Sequence, residues 1–185
     1  MRVKRLSVVF LSVALWASPA VLAQQGTEST PTGAHSGRDA SAASSKDGLT
    51  LQYSDRRSVL SLSELKAISH ISVTVHNSHT DADETYSGVR LANLLPRVGA
   101  PLGKELHGRA LADYVVATGS DGYQSVLALG EVDPSFHPGE VIVADAMDGK
   151  PLDAHSGPLK LVVTEDKRPA RSVRNLVSIE VKSER

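Results

Sequence analysis

The sharpest constraint on this chain is a break in composition at residue 48. Residues 24–48, QQGTESTPTGAHSGRDASAASSKDG, are Ser, Thr, Gly and Ala with almost no large apolar side chain. Such a stretch buries too little surface to offset the entropy of ordering it, so it reads as a flexible tether, with His35 a solvated bystander. Before it, Arg2, Lys4 and Arg5 precede an apolar run from Leu6 to Leu15 that is interrupted only by Ser7 and Ser12. That run is too short to span a bilayer comfortably, and Val21-Leu22-Ala23 offers small residues ahead of a cut before Gln24. Residues 1–23 therefore read as a secretory signal peptide. The protein is expected to be exported, periplasmic or secreted, with no membrane span after cleavage. The core must come from residues 49–185. A chain of about 140 residues buries roughly two-thirds of its unfolded surface, enough for a self-supporting domain.

Within that domain the apolar residues come in short runs. Ile71-Ser72-Val73-Thr74-Val75-His76 alternates strictly, the signature of a half-buried strand. Leu49-Thr50-Leu51 alternates too, Val141 to Ala144 reads as a buried strand, and Leu159–Val163 and Val173–Val181 read as the last strands. Tyr114–Thr118 and Tyr123–Leu129 flank the turn residues Gly119-Ser120-Asp121-Gly122 and predict a hairpin. Asp148-Gly149 is a second strong turn. Helices are few. Ser61 and Glu64 have capping-box spacing, and Leu62, Leu65 and Ile68 share one face of a short helix over 62–69. Asn77–Glu84 reads as a polar loop, and Gly88–Leu95 as a turn into a helix stopped near Pro96. No repeat of fixed period is visible, which argues against a solenoid or propeller.

The chain has no cysteine, so disulfides, thiolate-bound zinc, iron–sulfur clusters and cysteine nucleophiles are excluded. Hydrophobic residues make up 41%, too many for wholesale disorder. A net charge of −1 gives no general attraction to nucleic acid or anionic lipid, so no nucleic-acid partner is expected. There is no G-x-S-x-G, P-loop, G-x-G-x-x-G or H-E-x-x-H pattern. His76, His79 and Asp81, with Asp83 and Glu84 beyond, are the nearest approach to a cation cluster, but a hydrophilic connection has the same composition. His107, His137 and His155 sit beside Gly or Pro, or near them, and read as surface histidines. The densest donors lie near the C-terminus, where residues 160–185 carry seven basic and four acidic side chains. Arg168, Arg171 and Arg174 recur every three residues and suit a bidentate grip on phosphate or carboxylate; a solvated loop pairing with Glu165 and Asp166 reads the same way.

Taken in order, several pieces resemble the molybdopterin-binding oxidoreductase domain, the sulfite-oxidase-like family. Tyr86-Ser87-Gly88-Val89-Arg90-Leu91 with Leu94-Leu95 resembles its Y-x-G-V-P-L-x-x-L-L element. Asp121-Gly122-Tyr123 with Leu129 and Glu131 resembles its D-G-Y strand and L-x-E continuation. Asp148 to Leu152 resembles D-G-x-P-L, Gly157 to Val163 resembles G-P-L-R-L-V, and Arg171 to Val181 resembles the closing segment. The order and spacing agree over about residues 60–182. The resemblance implies an α+β, β-rich mixed fold with a β-grasp-like part and few short helices. It makes molybdopterin, or a small anionic ligand, the candidate ligand.

The departures are chemical. Catalytic relatives ligate molybdenum with one cysteine thiolate, and this chain supplies none. The family's G-P-L-R arginine is Lys160, which lacks the planar two-pronged donor, and Thr164 replaces the following proline. Redox chemistry is expected to be attenuated or gone. Three readings follow: an exported binding module that kept the fold, a molybdopterin oxidoreductase completed by an unusual ligand or a partner subunit, and a structural or interaction module. For the first two, the implied cofactor-binding residues are Asp121, Tyr123, Lys160, Arg168, Arg171 and Arg174.

Overall fold

The computed structural model describes residues 48–183, so the leader and all of the tether but its last residue lie outside the described residues. The strands are β1 (Gly48–Tyr53), β2 (Arg56–Ser61), β3 (Ile71–Asn77), β4 (Ala82–Arg90), β5 (Tyr114–Gly119), β6 (Gln124–Ala128), β7 (Val141–Met147), β8 (Lys150–Pro151), β9 (Lys160–Val163) and β10 (Leu176–Lys182). Three short helices join them: α1 (Leu62–Lys66), α2 (Leu91–Leu94) and α3 (Leu129–Val132). The strands form two five-stranded sheets, as the α+β expectation requires. The first has the order β2-β1-β10-β5-β6, with β10 parallel to β1 and antiparallel to β5. In the second, β4 lies between β3 and β7 and occupies one edge of β7 along most of its length. β8 and β9 therefore share the other edge of β7 in tandem.

The pleat of the second sheet sorts its side chains. On β9, Leu161 and Val163 enter the main core with Leu49, Leu51, Leu127 and Ile179, while Val162 joins a smaller cluster with Tyr86, Ile142 and Ala144 on the opposite face. Lys160 shares the pleat face of Val162, so its position in the strand aims it away from the main core. Where β4 crosses β7 the register shifts between Ser87 and Gly88. The backbones there are so close that a Cβ on Gly88 would stand 2.2 Å from the Val143 carbonyl oxygen. Only glycine fits such an approach.

Several expectations are refined. The hairpin at residues 114–128 forms as read, with Gly122 at φ +83°, and Ser61 and Glu64 form a reciprocal capping box. α1 ends at Lys66, three residues short of the expected end. The polar stretch at residues 77–84 is not a loop throughout. β3 runs through Asn77, β4 starts at Ala82, and only residues 78–81 turn. Its exposed residues pair through the backbone and carry no apolar period. Gly88–Arg90 ends β4 instead of opening a helix, and past α2 the chain runs through Pro96 as a 3₁₀ turn. β2, with Leu60 its only buried residue, has too little apolar pattern to read from sequence.

The link from β9 to β10 stitches the two sheets together. Val173, fully buried, exchanges two backbone hydrogen bonds with Leu161, at 2.8 and 3.1 Å. The hydroxyl of Tyr123 donates to the Ala170 carbonyl at 2.5 Å, and that of Ser125 donates to the Arg171 carbonyl at 2.9 Å. The Arg171 side chain closes the stitch. Its guanidinium donates twice to Asp166, at 2.9 and 2.6 Å, and once to Glu131 at the start of α3, at 2.9 Å. Glu131 also accepts from the Ala128 N–H at 2.8 Å. Burial pushes the Glu131 carboxyl up, but Arg171 and the Ala128 N–H outweigh it and hold it below the usual range.

Two outcomes follow. Gly88→Ala must push the backbones of β4 and β7 apart, an overpacking cost of about 1–3 kcal/mol, so thermal unfolding should show a melting temperature lower by at least about 4 °C. An unchanged melting temperature would contradict the close approach. A carboxyl with a depressed folded pKa contributes stability that is complete above its unfolded pKa and is lost as pH falls through the folded value. The melting temperature should therefore fall as pH drops below about 4.3, and a pH series of Glu131→Gln should show a shallower fall. Parallel curves would refute the Glu131–Arg171 link.

Candidate functional site

The outer face of the second sheet forms the floor of a cleft of about 590 Å³. Its walls come from three other places: the turn between β5 and β6, the loop after β8 that carries Asp153, His155 and Ser156, and the segment that holds Asp166, Pro169, Ser172 and Arg174. The volume lies inside the range of about 300–1,000 Å³ typical of small-molecule sites. Apolar surface comes from Val75 and Met147, and half-exposed Tyr123 stands at the turn.

A chain of polar contacts crosses the floor. Lys160 Nζ donates to the Tyr86 hydroxyl at 2.5 Å and lies 4.3 Å from the centroid of that ring. The Tyr86 hydroxyl donates to Glu84 at 2.7 Å, and Glu84 accepts from the Asn77 amide at 2.6 Å. Burial, with help from the Glu84 carboxylate, raises the Tyr86 hydroxyl pKa, so it stays protonated at all ordinary pH. Burial and the nearby Arg174 charge push the Lys160 ammonium down, while Glu84 and Asp153 act against them. At the rim, the Arg174 guanidinium meets the His155 imidazole, and the Asn175 amide donates to the His155 carbonyl at 2.9 Å. The Asp153 carboxylate accepts from the Ser156 N–H at 2.8 Å, and this bond with others to the Ser156 and His155 groups keeps it below its usual range.

The six residues expected at a cofactor site divide into two groups. Asp121, Tyr123, Lys160 and Arg174 line the cleft together. Asp121 shapes the turn by accepting from the Tyr123 N–H at 2.9 Å. Arg171 is committed to Asp166 and Glu131 and faces a separate, minor hollow beside Glu140 and Glu165. Of the two acids set against the basic tail in the sequence, Asp166 is the one that pairs with it. Arg168 is exposed and lines neither space.

Sequence reasoning missed Glu84, Asp153 and His155 as cleft residues. Tyr86 stood in a quoted motif, but nothing in the motif pointed to its contact with Lys160. His76, in the suspected cation cluster, instead makes exposed pairs with Asp83 at 3.0 Å and Asp81 at 3.5 Å. Among the described residues, no group of three or more His, Cys, Asp or Glu side chains is arranged to hold a metal ion.

These donors fit one half of a molybdenum cofactor better than the other. The organic half needs cations for its phosphate, acceptors for its ring N–H groups and apolar or aromatic surface. Lys160 and Arg174, Glu84 and Asp153, and Tyr123 with Val75 and Met147 supply all three. The metal half, as catalytic relatives hold it, needs a protein thiolate, and the chain has no cysteine to give one.

Among solved structures, the sulfane dehydrogenase SoxCD from Paracoccus pantotrophus shares the fold, with a TM-score of 0.59 and 15% identity over 77% of this chain. The protein spans only 39% of that SoxCD chain. No curated protein matches the sequence. Among the described residues, no helix is long and apolar enough to cross a membrane. The family profile "Oxidoreductase molybdopterin binding domain" matches residues 49–185, from the first core strand to the last residue, and the protein belongs to that family.

Proposed function

We propose that the protein is an exported binding module that keeps the molybdopterin-binding fold and uses its cleft to hold a small anionic heterocycle of the phosphorylated-pterin type, without catalysing redox chemistry itself. The observation that carries this reading is the composition of the cleft. Two cations, Lys160 and Arg174, share it with ring-sized apolar surface and the acceptors Glu84 and Asp153. Arg174 presents a planar donor at the rim for phosphate, and Lys160 adds a point charge on the floor. The leader-like residues 1–23 support export, and residues 24–48 have the composition of a flexible segment ahead of the domain. Molybdopterin would bring redox chemistry if it carried its metal here. The residues that would hold its organic part are Lys160, Arg174 and Tyr123, and none of them is a thiolate.

The test is isothermal titration of the folded domain with a phosphorylated pterin. The parent should bind. Arg174→Lys and Lys160→Met should each weaken binding by roughly tenfold or more, since a hydrogen bond to a charged group is worth about 1.5–3 kcal/mol. Arg171→Lys should leave affinity within about twofold and lower the melting temperature instead, because it loses a bidentate grip on Asp166. No binding by the parent would remove this reading and leave an interaction module.

A further inference from the structure

We propose that Lys160 is a reactive amine that captures anionic carbonyl compounds, aldehydes or α-keto acids carrying a carboxylate or phosphate, as an imine within the cleft. The inference rests on the reading of the cleft as a small-anion site and adds a covalent step to it.

The geometry has three parts. First, Lys160 projects from β9 onto the cleft floor while its neighbours in sequence, Leu159 and Leu161, are buried in the core, so its stem is held by the strand. Second, its Nζ touches the hydroxyl of Tyr86, which is 2% exposed and itself bonded to Glu84. That hydroxyl accepts a hydrogen bond from the ammonium, and a proton relayed through it to Glu84 leaves a neutral amine that accepts from the hydroxyl and a Glu84 carboxylic acid that donates to it. Third, Arg174 and His155 stand at the rim, where the anionic end of a small carbonyl compound would be paired. Burial and Arg174 favour the neutral amine that nucleophilic attack requires, against the opposing carboxylates of Glu84 and Asp153. An exposed lysine has none of these features.

The step balances without an added oxidant or reductant. The lone pair of neutral Lys160 forms a bond to the carbonyl carbon, and the C=O π pair moves to oxygen, which takes a proton. The carbinolamine nitrogen loses one proton, its lone pair then forms the C=N bond as the hydroxyl takes a second proton and leaves as water, and the iminium nitrogen gives up its remaining proton. Amine and carbonyl compound become imine and water. The Tyr86 hydroxyl is placed to shuttle the proton at nitrogen, with Glu84 as its partner.

The experiment uses the folded domain with limiting pyridoxal 5′-phosphate, an aldehyde with a phosphate on a ring of suitable size. Borohydride reduction fixes any imine, and peptide mapping by mass spectrometry locates it. The expected result is labelling at Lys160 at least about tenfold above exposed Lys150 and Lys182, abolished in Lys160→Arg and slowed roughly 10–100-fold in Tyr86→Phe. Pyridoxine 5′-phosphate, which has an alcohol in place of the aldehyde, should protect Lys160 without labelling it. Circular dichroism of each variant separates loss of labelling from loss of fold. Labelling spread evenly over surface lysines would overturn the inference. If phosphorylated pterin or pyridoxine 5′-phosphate binds and Lys160 stays unlabelled, covalent capture is refuted and the binding reading stands. If neither binds and nothing is labelled, both fall.

Discussion

The cleft exists because the link between β9 and β10 is pinned to both sheets at once. Val173, with no exposed surface, is bound in both directions to Leu161 of the second sheet, while Tyr123 of the β5–β6 turn and Ser125 of the first sheet reach the carbonyls of Ala170 and Arg171. Burial of a valine contributes about 1.5–3 kcal/mol, and the paired backbone groups cannot find water there without unfolding. Arg171 then binds Asp166 and Glu131 from opposite sides. With the segment fixed, Arg174 falls at the rim and Lys160 faces it from the floor. The stitch commits Arg171 to architecture and leaves Arg174 in the lining of the cleft.

Electrostatically the cleft is balanced within itself. Among the described residues no buried side-chain nitrogen or oxygen lacks a partner. Lys160 leans on Tyr86 and Glu84, and Arg174 leans on His155. A ligand must therefore exchange partners rather than fill unmet ones, which favours one that brings both an anion and N–H donors. The carboxylates of Glu84 and Asp153 are as much a part of that selectivity as the two cations. A bare phosphate would meet them as repulsion.

Much of the architecture was legible because it rests on local rules. The Gly119–Gly122 turn, the capping box of Ser61 and Glu64 and the alternation of β3 each carry their own physical cause in adjacent residues. β4 was partly hidden because its first half, Ala82 to Thr85, has no large apolar side chain and is exposed apart from Glu84, so nothing but its pairing with β3 marks it as a strand. β2 was hidden for the same reason. The candidate site was legible where its residues sat in recognisable elements, as with Asp121, Tyr123, Lys160 and Arg174. It was illegible where contacts join distant positions. Nothing near Lys160 announces Tyr86, 74 residues away, and nothing near Arg171 announces Glu131, 40 residues away. Three evenly spaced arginines look alike in sequence, and only the fold assigns one to a clamp, one to the cleft and one to solvent.

The central claim is that this fold retains a ligand cleft while the thiolate that anchors molybdenum in catalytic relatives is missing. The most direct measurement is the molybdenum and pterin content of the protein purified from a host that exports it. The account predicts molybdenum far below one atom per chain, with any organic ligand released on denaturation being free of stoichiometric metal. One molybdenum and one pterin per chain would contradict it and make the protein an enzyme that holds its metal without a protein thiolate.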